Sequence, residues 1–273
     1  MSDRVVMITG GAGTIGRMLL DRPARERWRS VVLDPTPLPE PFASRGDVEQ
    51  VLGSLTDADA VRHAMREATD VVHLGALSTE DEWEAILDVN VTGTRTVLDA
   101  AEEHGVGRFV YASSNHAVGF YAPSDAGPDG RLADDAPPRP DTYYGWSKAA
   151  GEALVRLYCE RGSMRGVALR IGHCFPEPLT GPRLPVWLSP GDARGLVDAS
   201  LHHDIEPFQI VWGVSANARS WCSLEGGRRI GFAPQDDSER YADRFPDAAG
   251  VDPDEPLGAH FVHMPLGQSS AVR

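Results

Sequence analysis

The segment "YYGWSK" (143–148) places Tyr144 and Lys148 four residues apart, so on a helix their side chains share one face. A tyrosine is a poor base near neutral pH, because its reference pKa is about 10. A cation beside it favours the phenolate and makes it a usable acid–base group. Lys148 is the only lysine among 26 basic residues, the rest being arginine. A compact ammonium with three rotatable donors can serve two polar neighbours at once, whereas the planar fork of arginine fills that space differently. A surface Tyr/Lys pair would read the same way in isolation, so the sequence upstream has to separate the two readings.

Upstream, "GGAGTIG" spaces Gly10, Gly13 and Gly16 as GxxGxxG, with Thr14 and Ile15 between the last two. An apolar run precedes the glycines and a helix-like stretch follows. Glycine permits the tight turn and lets backbone N–H groups approach a pyrophosphate at the helix start. Alone, such a triplet is also an ordinary turn. Asp34 ends the next apolar run, 18 residues after Gly16, where a carboxylate binds both hydroxyls of an adenosine ribose. The same carboxylate repels a 2′-phosphate, and "DPTPLPEP" brings no arginine to accept one. The pattern therefore points to NAD rather than NADP, with a solvated strand-end acid as the bland alternative for Asp34.

The elements that must position these groups alternate. Short apolar runs at 4–9, 30–34, 70–76, 108–114 and 165–172 read as buried strands. Helical stretches start at Thr14 and cover 57–68, 82–105 and 143–162. Strands alternating with helices predict an α/β fold, a Rossmann-type doubly wound parallel sheet, with ligands at the carboxyl ends of the strands. The Pro-, Asp- and Gly-rich stretch 122–141 reads as a long loop, either a lid or a disordered insertion. After residue 175 the pattern turns irregular. We expect residues 1–175 to form the nucleotide-binding core and 176–273 a small substrate lobe and tail, integrated into a single structural domain.

Composition removes other classes. A net charge of −14 argues against nucleic acid as a partner, and no apolar run is long enough to cross a membrane. The start "MSDRVVMITGG" lacks a signal-peptide pattern. Cys159, Cys174 and Cys222 are odd in number and lack CxxC spacing, which points to a reducing, cytoplasmic location. The histidine pairs in "LHHD" and "HFVH" lack further ligands at metal spacing, so no metal site is expected. An anionic substrate would need a local cation to approach so acidic a chain.

The motifs "TGGAGTIG", "HLGA", "DVNVTGT", "YASSN" and "YYGWSK", in this order, resemble the extended short-chain dehydrogenase/reductase family over residues 4–215. The resemblance implies that Tyr144 is the catalytic acid–base, that Lys148 binds the nicotinamide ribose, that Ser114 hydrogen-bonds the reacting oxygen and that Asn90 holds the relay geometry. It implies cofactor contacts from Leu55, Leu74, Gly75, Ala76 and Cys174, and from Ser54, where the family usually carries an aspartate. "HLGALS", "ASSNHAVGFY", "RIGHCFPEP" and "IVWGVSAN" are similar to the branch of that family that oxidises hexuronic acids at C1 to aldarolactones. Carried over, Ser78, Ser114, Asn115 and His116 contact the sugar, and Arg183 in "GPRLPVW" grips the C6 carboxylate. By its own context Arg183 reads as a surface arginine after a proline, and Asn115 and His116 as polar turn residues. His173 stands where that branch has a serine; it could still donate and, if protonated, would add charge beside Arg183. A sulfonated or neutral aldose is the alternative substrate, and a non-catalytic NAD-sensing protein the alternative class. A homo-oligomer is expected from the resemblance alone.

Overall fold

The computed structural model describes residues 4–21, 28–204, 206–246, 250 and 252–269. Apolar runs too short for helices lie side by side: β1 (Val5–Thr9), β2 (Arg29–Asp34), β3 (Val48–Leu52), β4 (Asp70–His73), β5 (Arg108–Ser114), β6 (Arg165–Ile171) and, later in the chain, β9 (Phe208–Gly213). They form one sheet in the order β3-β2-β1-β4-β5-β6-β9, and every pairing is parallel. Parallel strands need crossovers, which are supplied by α1 (Thr14–Leu20), α2 (Ala58–Met65), α3 (Trp83–Ile86) running through a π-helical turn (Leu87–Thr92) into α4 (Gly93–Glu103), α5 (Tyr143–Arg161) and α6 (Pro190–His202). The two-residue strands β7 (His173–Cys174) and β8 (Trp187–Leu188) pair apart from the main sheet, and α7 (Glu225–Arg229) follows β9.

Alternation along the strands sends neighbours to opposite faces. Val6, Ile8, Val32, Val72, Val110, Leu169 and Val211 join one buried layer with Leu19 of α1 and Leu196 of α6. Met7, Val31, Leu33, Val71, Phe109 and Ala168 join the other with Met65, Leu98 and Val155. Both faces are covered, which is why the central strands are almost wholly apolar. The strand order reverses at β1, between β2 and β4, and the carboxyl ends there open the crevice where such sheets bind ligands.

Three differences from the sequence-based expectations have physical causes. β3, "VEQVL", was not expected: it is an edge strand with half-polar character and Leu52 is 60% exposed, so the apolar pattern is diluted. The sheet also continues past residue 175, because β9 pairs with β6 and α6 packs against α1. The edge of the nucleotide-binding layer therefore does not fall at 175/176. "PGDARGLVDASLH" forms α6 through burial of Leu196, Val197 and Leu201 despite its Gly, Pro and Asp content.

The loop 122–141, expected as a lid or disordered insertion, is pinned to the core. Arg170 of β6, fully buried, donates to the Asp134 and Ala136 carbonyls and forms a two-bond pair with Glu152. The Trp212 indole donates to the carbonyls of Leu132 and Ala133. Asp134 accepts from the backbone of Trp212 and Gly226. Trp187, Trp212 and Trp221 are buried packing residues, as expected.

One buried histidine makes folding pH-dependent. His73 shares hydrogen bonds with Thr9 (2.7 Å) and Thr94 (2.9 Å), and burial, helped by Lys148, pushes its pKa down to about 3. Between its ordinary value of 6.5 and 3 the unfolded chain binds this proton and the folded one does not, so stability falls as pH falls below 6.5. The expected slope is about 1.4 kcal/mol per pH unit. Urea unfolding at pH 7 and pH 5 should show this loss in the parent protein and a shallower one in His73→Asn; equal slopes would assign the loss to other groups.

Candidate active site

The glycine turn after β1 is dictated by close backbone approach. Gly10 has φ +70°, and a Cβ there would lie 2.8 Å from the Gly75 backbone; one on Gly16 would lie 2.4 Å from the Gly11 Cα. Gly13 precedes α1 without a side-chain cap. Asp34, buried at the end of β2, accepts from Ala12 N (2.9 Å) and Thr36 N (2.8 Å), which ties the carboxylate to the glycine turn.

A cleft of about 650 Å³ runs along the strand ends from this turn. It is lined by Gly10, Gly13, Thr14, Ile15, Gly16, Asp34, Ser54, Leu55, Leu74, Gly75, Ala76, Tyr144, Lys148 and Cys174, all the residues expected at a cofactor, and by Ser78 and Ser114. Phe175, Thr36 and Val89 also line it and were not expected. Ser54 shares a hydrogen bond with the Thr56 hydroxyl (2.9 Å). Burial pushes the Cys174 thiol up to about 12, which leaves no thiolate for nucleophilic chemistry.

Tyr144 and Lys148 sit in the first turns of α5, whose N-terminus is capped by Thr142 accepting from Gly145 N. Both are buried, and the ammonium lies 5.7 Å from the centre of the tyrosine ring. Burial raises the phenol to about 12, with a hydrogen bond from Ser114 pulling it down and Asp141 pushing it up. Burial lowers Lys148 to about 8, and its Nζ donates to Ala112 O at 2.8 Å. Dehydration is thus the largest influence on the phenol in this structure, against the expected lowering by Lys148.

Asn90 lies outside the cleft, in the π-helical turn, and is 1% exposed. Its amide donates to Leu77 O (3.0 Å) and Ser147 Oγ (2.9 Å) and accepts from Leu77 N (2.8 Å). It therefore holds the strand-end segment 74–78 to the tyrosine helix, a geometry for which π-turns are often kept.

Asn115, His116, His173 and Arg183 do not line this cleft; they lie beyond its Ser114 end. Asn115 donates to Leu257 O, and His116 pairs through Nδ1 with Asp141 at 2.6 Å. His173 stacks on Phe175, and its Nε2 accepts from Leu179 N. Burial, then Arg183, push His173 down to about 4, so it is neutral near pH 7 and adds no charge beside Arg183. Arg183 lies in a 3-10 turn (Gly181–Val186); burial lowers its pKa, while Asp141 and Glu255 raise it.

Residues the sequence did not single out complete this end. Segment 252–269 folds back over it: Leu257 N donates to Tyr121 O, Gly258 N to Gly119 O, and Phe261 stacks on His116 at 4.1 Å. Glu80, fully buried, accepts from Tyr144 N (2.9 Å) and Gly267 N (2.8 Å), clasping the segment to the start of α5. In "STEDEWEA" nothing marks Glu80 among its acidic neighbours. Asp141 reads in sequence as one more acid before a helix.

The glycine turn, the strand-end carboxylate and the Ser/Tyr/Lys group in one crevice define a dinucleotide-dependent oxidoreductase-type site, and the chain belongs to the NAD dependent epimerase/dehydratase family, whose model matches residues 6–185. The resemblance to the extended short-chain dehydrogenase/reductases is borne out. Among individual proteins, the chain is 34% identical to a uronate dehydrogenase of Agrobacterium fabrum, over 97% of this chain and 99% of that one. It is 35% identical to an NAD-dependent glucose-6-phosphate dehydrogenase of Haloferax volcanii, over 88% and 96%. A mutant uronate dehydrogenase of Agrobacterium tumefaciens, solved in complex with NAD, superposes with a TM-score of 0.86 at 32% identity, covering 96% and 98%.

Proposed function

We propose that the protein is an NAD-dependent uronate dehydrogenase, oxidising C1 of a pyranose hexuronic acid to the aldarolactone. One observation carries the choice of an anionic sugar. Arg183 is largely withdrawn from water, yet among the described residues its guanidinium makes no hydrogen bond or ion pair. A desolvated, unpaired cation is costly, and a carboxylate meeting it through two parallel hydrogen bonds removes that cost. The full-length likeness to uronate dehydrogenases supports the same reading.

The residues present fit NAD. Gly10, Gly13 and Gly16 present the turn and the start of α1 to the cleft, and Asp34 offers a carboxylate there to a ribose diol. Tyr144 takes the proton of the C1 hydroxyl, and Ser114, hydrogen-bonded to the phenol, orients the oxygen that loses it. Lys148, held by Ala112 O beside the tyrosine, supports the phenolate and faces the ribose. Asn90 fixes Leu77 against α5, and Arg183 holds the far end of the sugar. NAD, when bound, supplies the hydride acceptor for C1 and a formal positive charge near the phenol.

The test is NADH formation with glucuronate, galacturonate, glucose, galactose, glucose 6-phosphate and a 6-sulfonated glucose, each with NAD and with NADP. Rapid reduction of NAD by the uronates alone is expected. Turnover confined to the phosphate or sulfonate would assign the Arg183 end to another anion, and turnover of neutral sugars would remove its anion role. Asp34→Ala should raise KM for NAD by about 10- to 100-fold, the worth of a charge-assisted hydrogen bond, and narrow the preference over NADP. An unchanged KM would take Asp34 out of cofactor binding.

A further inference from the structure

Asp141 is a tightly enclosed carboxylate near the site, and glycines of the turn after β5, of α5 and of the C-terminal segment make room for it. Its side chain has no exposure to solvent. A Cβ on Gly119, after β5, or on Gly258, in the C-terminal segment, would lie 2.0 Å from Oδ2; one on Gly145, in α5, would lie 2.8 Å from Oδ1. Oδ1 accepts from the Thr142 hydroxyl at 2.9 Å and Oδ2 from His116 Nδ1 at 2.6 Å. The His116 ring is clamped between Phe261 (4.1 Å) and the edge of Tyr144 (5.8 Å). Its Nε2 makes no hydrogen bond among the described residues, although the side chain retains 10% exposure.

A carboxylate on Nδ1 fixes the neutral imidazole with its proton on that nitrogen and the lone pair on Nε2. We propose that Asp141 is a positioning residue that presents His116 Nε2 as a hydrogen-bond acceptor, so that the site selects a sugar carrying a donating ring hydroxyl beside the oxidised carbon. The inference rests on the sugar-oxidising reading above. The same arrangement, an aspartate setting tautomer and ring orientation, makes the histidine of serine hydrolases an acceptor. Here the acceptor is used to hold substrate, since Tyr144 is already placed for proton transfer. Glycines at 119, 145 and 258 yielding to one carboxylate explain why that acid is enclosed between the turn after β5, the tyrosine helix and the C-terminal segment.

The test uses the sugar the wild-type enzyme oxidises fastest, whichever it is, so that an error in the uronate assignment does not decide the outcome. Asp141→Asn leaves the volume unchanged but can donate to Nδ1, moving the proton to Nε2. We expect the sugar KM to rise at least 10-fold with a smaller change in kcat and an unchanged KM for NAD. In a His116→Ala background the same substitution should have no further effect on KM. Replacing the contacted hydroxyl by fluorine, which cannot donate, should weaken binding to wild type and not to Asp141→Asn. Equal losses in both backgrounds, or matching losses in NAD binding and melting temperature, would make Asp141 merely structural. An unchanged KM in Asp141→Asn, or a fluoro-sugar series binding wild type as well as the parent sugar, would overturn the acceptor assignment.

Discussion

Tyr144→Phe should lower kcat by about 10²- to 10⁴-fold, the usual contribution of a positioned acid–base group, while NAD binds with unchanged affinity. The hydroxyl is the only group removed. The ring stays packed against His116, and the backbone N–H stays on Glu80, so the shape of α5 is kept. The experiment pairs steady-state kinetics with a direct NAD titration. Retained activity would move the proton transfer to another group. Loss of NAD affinity along with kcat would mean that the substitution disturbed the cleft rather than the chemistry. With the phenol lifted to about 12, proton abstraction is uphill at neutral pH, so oxidation should accelerate as pH rises from 6.

The second large effect is expected at Lys148. A unit charge 5.7 Å from the tyrosine ring is worth about 3 kcal/mol at an effective dielectric constant of 20, or on the order of 100-fold in rate. Lys148→Met should approach that loss. Lys148→Arg should not restore activity, because the side chain is 4% exposed and its Nζ already meets Ala112 O at 2.8 Å, leaving no room for a planar fork. The cation also shapes the pH profile. Burial lowers its pKa from 10.5 to about 8, so it is charged below that value and neutral above it. The rise of kcat/KM with pH should therefore bend over above about 8 in the parent enzyme and lose that bend in Lys148→Met. A wild-type profile climbing smoothly to pH 10, or an active Lys148→Arg, would remove the charge and shape arguments respectively.

The chemistry of the cleft was legible in the sequence because it depends on local spacing. Gly10, Gly13 and Gly16 have to adjoin a strand end and a helix start, Asp34 has to end the neighbouring strand, and Tyr144 and Lys148 have to share a helix face. Each relation lies within one element or one turn, and all of these residues line one crevice. The central strands were legible for a related reason: buried on both faces, they show as unbroken apolar runs.

What only the tertiary structure decided is whatever depends on segments far apart in the chain. β3 and β9 close the sheet at its edges, where polarity blurs the pattern, and α6 exists because the sheet needs cover. The loop 122–141 reads as open chain, yet the buried Arg170 guanidinium satisfies its carbonyls from β6. Glu80 meets Gly267 across 187 residues, and Asp141 is enclosed by glycines from three segments. Lys148 was placed correctly from its spacing, whereas the balance between its charge and the dehydration of Tyr144 was not. Spacing establishes which groups can meet; desolvation depends on how completely the rest of the chain surrounds them.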